Sequence, residues 1–351
     1  MRALFIGLGG IGQRHLRNLR SLRGADLDVV AWRTRGLTRT ISTTLEVEPG
    51  EDVEQRYGVR SFTTLEQALS TKPDVAFVCN PSSLHVGPAI AAAEAGCHLF
   101  LEKPLSNSLE GLDDLRRVVT EKGLKVLVGY QLRFHPLLRR IRALLDAGTV
   151  GTVVSVRAEV GEFLPGFHPY EDYRQMYAAS RALGGGVVLS QIHELDYLFW
   201  LFGFPRRIFA LGGHLSNLEL DVEDVASILL EFVGPKGIFP VHLQQDYVQR
   251  PPSRTCSIVG DSGKIVLDLR APSLRVFNEH GALSEEINLT TLDRNQLFID
   301  ELQHFLDCAE GRAEPVVNLE DGIASLRMAL GVLQSMESGQ VVALDPKGGE
   351  A

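Results

Sequence analysis

The chain has 351 residues, 44% of them hydrophobic and 23% charged, with a formal net charge of -9. Such a composition is that of an ordinary soluble globular protein of about two domains, and its acidic balance argues against a nucleic-acid partner. No apolar run reaches the roughly 18 residues of a membrane span, and the scattered Cys79, Cys97, Cys256 and Cys308 form no C-x-x-C, so no membrane partner, disulfide framework or metal site is expected and a cytoplasmic setting fits.

Residues 1–6 read as a buried strand rather than a signal peptide: they carry one Arg and no long apolar stretch. That strand runs straight into Gly7-Leu8-Gly9-Gly10-Ile11-Gly12, a G-x-G-x-x-G turn, and a helical stripe of Leu16, Leu19 and Leu22 follows. Strand, tight turn and helix in that order are the dinucleotide-binding signature. Gly7 permits the turn, Gly9 lets a pyrophosphate approach the backbone, and Gly12 lets helix and strand pack closely.

The second strand is expected at 28–32. The place of the acidic residue that holds a ribose 2′-hydroxyl in NAD sites reads Arg33-Thr34-Arg35. An arginine there pairs with a 2′-phosphate, so NADP(H) is favoured over NAD(H), with Arg33, Thr34 and Arg35 around the phosphate. The alternative is that these are solvated loop arginines. Residues 36–56 read as a long surface loop or a short helix. Thr64 caps a short helix.

A strand at 74–79 ends in Asn80-Pro81 with His85 beyond it, and a strand at 98–101 ends in Glu102-Lys103-Pro104. Ligands of doubly wound sheets sit at such carboxyl ends. A lysine there can polarise a carbonyl or share an alcohol's proton, and a surface lysine before a turn is the plainer reading. One further strand, 126–129, places Gln131 close to the nicotinamide.

These residues resemble the glucose–fructose oxidoreductase/inositol dehydrogenase family, written Gfo/Idh/MocA. The match continues through Ala95-Gly96, Arg133-Phe134-His135-Pro136, Gly184-Gly185-Gly186 and His193-Glu194-Leu195-Asp196. The resemblance implies an α/β fold: an N-terminal Rossmann doubly wound parallel sheet at 1–128, and at 129–351 a C-terminal α/β domain with a large, mostly antiparallel open sheet. It implies hydride transfer between NAD(P) and a hydroxyl or carbonyl carbon of a sugar-like substrate, with Lys103 as the motif lysine and His193 as the catalytic histidine. The cofactor would meet Gly7, Gly9, Gly10, Ile11, Gly12, Arg33, Thr34, Asn80, Pro81, His85, Glu102, Lys103 and Gln131.

In the second half an amphipathic helix is expected at 137–147 and a strand at 152–160. Residues 161–183 are rich in aromatic and polar side chains and suit a pocket wall or a loop over the sheet. Tyr173 and Arg174 are the substrate candidates within that stretch. A helix at 187–202 carries His193 and Asp196 on one face, either as a site pair or as a surface ion pair. Ser190 and Leu189 stand where the family usually has an aspartate, so the acid that tunes the histidine is missing from its place. Ser190 could hydrogen-bond a substrate hydroxyl, and Asp196 or Glu194 could replace the acid. That departure also supports a rival, a non-catalytic NADP(H)-binding protein of regulation or assembly. A methyltransferase shares the glycine turn but leaves Lys103 and His193 without a role. Residues 206–290 alternate as strands, with His242, Gln244 and Asp246 on one face, lining the pocket or an interface. Helices at 296–310 and 320–337 close the chain. By family analogy the open sheet face makes a homodimer or homotetramer.

Overall fold

The computed structural model describes residues 1–345 apart from Arg35, Leu37, Thr43 and Glu51. Arg35, placed above beside Arg33, therefore lies outside the described residues. The chain opens with β1 (Arg2–Ile6), α1 (Gly10–Arg23) and β2 (Asp28–Trp32). The expected loop at 36–56 holds a small hairpin, β3 (Thr40–Ile41) and β4 (Val47–Glu48), and the helix α2 (Val53–Tyr57). There follow β5 (Val59–Phe62), α3 (Leu65–Leu69), β6 (Val75–Val78), α4 (Val86–Glu94), β7 (His98–Leu101), α5 (Leu112–Lys122) and β8 (Val126–Val128). Asp52 and Thr64 cap α2 and α3 through their side chains, as their residue types favour.

Six of these strands form one parallel sheet in the order β5-β2-β1-β6-β7-β8. Helices cover both faces, which is why β1, β6, β7 and β8 are near-continuous apolar runs rather than alternating ones. The strand order reverses between β1 and β6, and that reversal opens a crevice beyond their carboxyl ends.

The second half runs α6 (Pro136–Asp146), β9 (Val153–Gly161), α7 (Val187–Ser190), α8 (His193–Phe202), β10 (Arg207–Gly213), β11 (Val225–Gly234), β12 (Gly237–Asp246), β13 (Ser253–Gly260), β14 (Gly263–Asp268), β15 (Ser273–Asn278), β16 (Leu283–Asn288), α9 (Arg294–Ala309), α10 (Leu319–Ser338) and β17 (Val342–Ala343). Nine strands form the second sheet, β16-β15-β14-β13-β9-β12-β11-β10-β17, antiparallel except between β9 and β12. Helices α8 and α10 pack on one face. The other face leaves Leu211, Leu229, Val233, Ile238 and Val259 exposed.

Two features differ from the sequence reading. The helix expected at 187–202 is broken: Gln191 takes φ -100° and ψ 31° between α7 and α8. The break has a chemical cause. The Ser190 and Gln191 carbonyls accept from side chains, Lys103 Nζ at 2.7 Å and Gln245 Nε2 at 2.8 Å. In addition, α9 crosses back to the first sheet. Its Leu302, Phe305 and Leu306 join Phe5, Phe77 and Phe100 in one core, with the Phe305 ring edge-on to Phe77 and Phe100 at 5.6 and 5.5 Å. A run of chain far from the Rossmann segment thus covers part of its sheet, because the first half leaves that apolar face unburied.

Candidate active site

A cavity of about 650 Å³ lies at the crevice, lined from both halves. Its floor is the glycine turn. Gly7 has φ +95°, and a Cβ there would stand 2.9 Å from the Asn80 backbone nitrogen. A Cβ on Gly12 would run into the Gly7 carbonyl oxygen, so that glycine sets how closely α1 approaches β1. At Gly9 a Cβ would meet nothing within 4 Å, which leaves room for a large group against the backbone. The α1 N-terminus has no side-chain cap and no acid in its first turn, so its N–H groups and the positive end of its dipole face the cavity uncompensated. This chemistry fits the pyrophosphate of a dinucleotide. Tyr170 of the second half reaches over the loop, its hydroxyl 2.6 Å from where a Gly10 Cβ would be, and Arg39 donates to the Tyr170 carbonyl at 3.3 Å.

Lys103 follows β7 at the crevice and is held from two sides. Its Nζ donates to the Ser190 carbonyl, and its backbone N–H donates to Glu102 Oε2 at 3.1 Å. Glu102 is itself buried and bonded to His15 Nε2 at 2.6 Å. Burial pushes the Glu102 carboxyl up, but the His15 hydrogen bond and the His15 and Lys103 charges outweigh it and hold the group below the usual carboxylate range. His85 is buried against the Asn80 carbonyl at 2.7 Å and the Leu105 carbonyl at 3.3 Å, so it fixes the two strand ends relative to each other.

His193 begins α8, and the helix break before it puts its ring next to Lys103's anchor. Gln131 Nε2 donates to His193 Nε2 at 3.4 Å, and Nδ1 is buried without a partner. Burial, then the positive charges of Lys103, Arg254 and Arg294, push the imidazole well below its ordinary pKa. The ring is therefore neutral near pH 7, with the Nε2 lone pair facing Gln131. Among the described residues no carboxylate bonds to it. Glu194 is taken by Arg254 at 2.7 and 2.9 Å, and Asp196 by Arg133 at 2.7 and 3.0 Å.

The family profile described as "Oxidoreductase family, NAD-binding Rossmann fold" matches residues 1–130, and the GFO/IDH/MocA C-terminal domain matches residues 138–266. The chain belongs to the Gfo/Idh/MocA oxidoreductase family. It is 26% identical to scyllo-inositol 2-dehydrogenase (NAD(+)) of Bacillus subtilis strain 168, over 99% of this chain and 97% of that protein. It is 25% identical to myo-inositol 2-dehydrogenase of Thermotoga maritima, over 98% and 99%. The solved structure of levoglucosan dehydrogenase in complex with NADH superposes with a TM-score of 0.80 at 18% identity, covering 98% of this chain and 99% of that one.

Within this Gfo/Idh/MocA chain the cavity brings together Gly7, Gly9, Gly10, Ile11, Arg33, Thr34, Asn80, Pro81, His85, Glu102, Lys103, Gln131, Ser190 and His193. Gly12 lies behind the turn. Three substrate candidates are corrected. Asp196 is fully buried away from the cavity, clamped by Arg133 and by the Ser325 hydroxyl at 3.1 Å. Arg174 is exposed and spends its fork on Asp172 and Glu219. Tyr173 accepts from the Glu219 backbone N–H at 3.1 Å. Neither lines the cavity, because their own neighbours satisfy them at the protein surface. The 161–183 segment is a cavity wall nonetheless, through Phe163, Phe167, His168, Tyr170 and Tyr177. His242 turns to Ser227 at 3.0 Å on the open sheet face, where Gln244 joins it; neither they nor Asp246 line the cavity.

The sequence reading passes over Arg14, Glu162, Arg254, Arg270, Arg294 and Phe298, all of which line the cavity. They come from a helix, strand ends and the start of α9, each ordinary in its own stretch; the pairing of β9, β13 and β14 gathers Glu162, Arg254 and Arg270, and the crossing of α9 adds Arg294 and Phe298. It also passes over Glu301, fully buried with neither carboxylate oxygen bonded. Burial and the negative Glu102 and Asp196 push its pKa well up, so it keeps its proton.

Proposed function

We propose that the protein is an NAD(P)-dependent dehydrogenase or reductase acting on a CH–OH or carbonyl carbon of a sugar or sugar-derived substrate. The observation that carries the reading is the convergence of Lys103 and His193 beside the open Gly9 turn. The inositol dehydrogenases among its relatives support the substrate class. A bound nicotinamide would supply or accept the hydride. In the oxidative direction the substrate hydroxyl displaces the 3.4 Å Gln131 contact at His193 Nε2, which takes the hydroxyl proton, and Lys103 Nζ, anchored on Ser190, presents its remaining protons to the developing alkoxide. Before substrate enters, Gln131 holds the imidazole at Nε2. Ser190 lies within reach of a further substrate hydroxyl. Titration with NADPH and NADH, then a sugar and polyol panel followed at the nicotinamide absorbance, tests the reading. Turnover is expected, and tight cofactor binding without turnover on the panel would favour a non-catalytic role.

The cofactor preference we propose is NADP(H). Arg33 and Thr34 line the cavity after β2, but Glu54 of α2 also bonds Arg33, so a 2′-phosphate must compete with that carboxylate. An arginine–phosphate contact of about 1.5–3 kcal/mol predicts that Arg33→Ala weakens NADPH binding by about tenfold or more and leaves NADH nearly unchanged. Glu54→Gln should shift preference further towards NADPH. Equal losses for both cofactors in Arg33→Ala would refute the assignment.

We also propose that residues 1–128 act as the cofactor domain and 129–351 as the substrate domain, with α9 crossing back. The assembly is proposed as a homodimer or homotetramer through the open face of the second sheet. The exposed Leu211, Leu229, Val233, Ile238 and Val259 support a buried surface there, since contiguous apolar patches mark interfaces. Leu229→Asp with Ile238→Asp should reduce the mass measured by light scattering to one chain. An unchanged mass in the double variant would place the interface elsewhere. Four free, buried cysteines, and the lack among described residues of a helix able to cross a membrane, are consistent with the cytoplasm, where we place it.

A further inference from the structure

Part of the cavity lining is strongly basic, with Arg14 from α1 and Arg254, Arg270 and Arg294 from the second half. Arg254 is neutralised by Glu194, and Arg270 by Glu162 at 2.9 Å. Among the described residues Arg14 makes no direct ion pair: the Phe298 ring lies beneath its guanidinium, 4.6 Å from the centroid, and Glu102 and Asp293 act on it only at longer range. Arg294 has no hydrogen bond or ion pair among the described residues: its neighbour Asp293 turns instead to the Asn295 backbone N–H at 2.8 Å. As the first residue of α9, Arg294 also stands at the positive end of a helix dipole, where a cation is disfavoured. Two guanidiniums without a direct ion-pair partner among the described residues therefore face one cavity and repel each other, with Glu102, Asp293 and Glu162 offsetting part of that repulsion from further off. Burial and then the Arg294 charge lower the Arg14 pKa to about 10. Such a pair is stabilised by an anion between or beside the two forks.

Arg294 belongs to the second half, whereas Arg14 stands on the helix that the cofactor's glycine turn opens. The uncapped α1 N-terminus and Gly9 serve a pyrophosphate, whereas Arg294 keeps company with Arg254, Arg270 and Glu162 from the second half. The Arg254 and Arg294 charges also act on the His193 imidazole, so Arg294 lies within electrostatic reach of the reacting centre.

We propose that Arg294, backed by Arg254 and Arg14, is the subsite for an anionic substituent of the substrate, a carboxylate or a phosphate ester, on a sugar whose reacting hydroxyl sits at Lys103 and His193. This rests on the dehydrogenase reading above. A planar guanidinium fork matches both anions, and a neutral polyol would leave the two forks without a direct ionic partner.

The test uses the full-length protein with saturating NADP+ or NAD+, and three probe sets: glucose and galactose, glucuronate and galacturonate, and glucose 6-phosphate. The wild type is expected to show a higher kcat/KM for an anionic probe than for its neutral counterpart, and whether acid or phosphate wins identifies the anion. Arg294→Gln should lower the anionic-to-neutral kcat/KM ratio at least tenfold, mainly through KM. Arg294→Lys should restore part of that ratio, which an unfolded variant would not. Direct titration should give NADPH and NADH dissociation constants within twofold of wild type in both variants. A wild-type preference for the neutral probes, an unchanged ratio in Arg294→Gln, or weakened cofactor binding in its place would overturn the subsite. No turnover on any probe, with the cofactor bound, would instead remove the dehydrogenase reading beneath it.

Discussion

Replacing Lys103 with methionine should lower kcat by about three orders of magnitude while leaving the cofactor dissociation constant close to wild type. Methionine keeps an unbranched chain of similar length but carries no proton and no charge. The loss falls on the transition state, where the substrate oxygen gains negative charge that Lys103 Nζ is placed to meet. The Ser190 carbonyl also loses its 2.7 Å partner, which costs about 1–3 kcal/mol of stability if water does not replace it. Thermal unfolding separates that cost from the catalytic one. A kcat within threefold of wild type in a folded variant would remove Lys103 from the chemistry.

His193→Ala should lower turnover by about 10²–10⁴, the range a positioned general base supplies, again with the cofactor still bound. The pH profile of the wild type gives a second readout. In the oxidative direction the imidazole must be neutral. Because burial and the charges of Lys103, Arg254 and Arg294 depress its pKa, the neutral form persists as pH falls below the ordinary histidine value. The acid limb of kcat/KM should therefore lie below pH ~6.5, and His193→Ala should abolish it. In the reductive direction His193 must carry a proton, so the rate should rise towards low pH. An acid limb at or above pH ~6.5 would show that something else titrates. The missing aspartate now has a physical consequence: among the described residues no carboxylate bonds to Nδ1 to raise the imidazole's basicity against its positive surroundings.

How much of this was legible beforehand depended on distance along the chain. The strand–turn–helix at 2–23 could be read because each part is local: an apolar run, glycines at fixed offsets, a leucine stripe. The strand ends at Asn80 and Glu102-Lys103 could be read for the same reason, and the family resemblance then placed His193. Asp196 misled because its spacing from His193 gives a shared helix face but says nothing of Arg133, 63 residues earlier. Arg174 misled because a surface carboxylate at Glu219 answers its charge.

The break between α7 and α8 was illegible for a related reason. Nothing in 187–202 opposes one continuous helix; two side chains from elsewhere, Lys103 and Gln245, take the carbonyls of Ser190 and Gln191. Apart from that break, the amino-acid sequence by itself determined most of the elements, the glycine turn and the residue types at the strand ends, because backbone sterics and burial periodicity act over a few residues. Only the tertiary structure decided which charges are neutralised. Arg254 meets Glu194 and Arg270 meets Glu162, while α9 brings Arg294 to the same cavity with no acid among the described residues to pair it. Charge compensation is a property of neighbours in space, and those neighbours lie on elements that the chain brings together last.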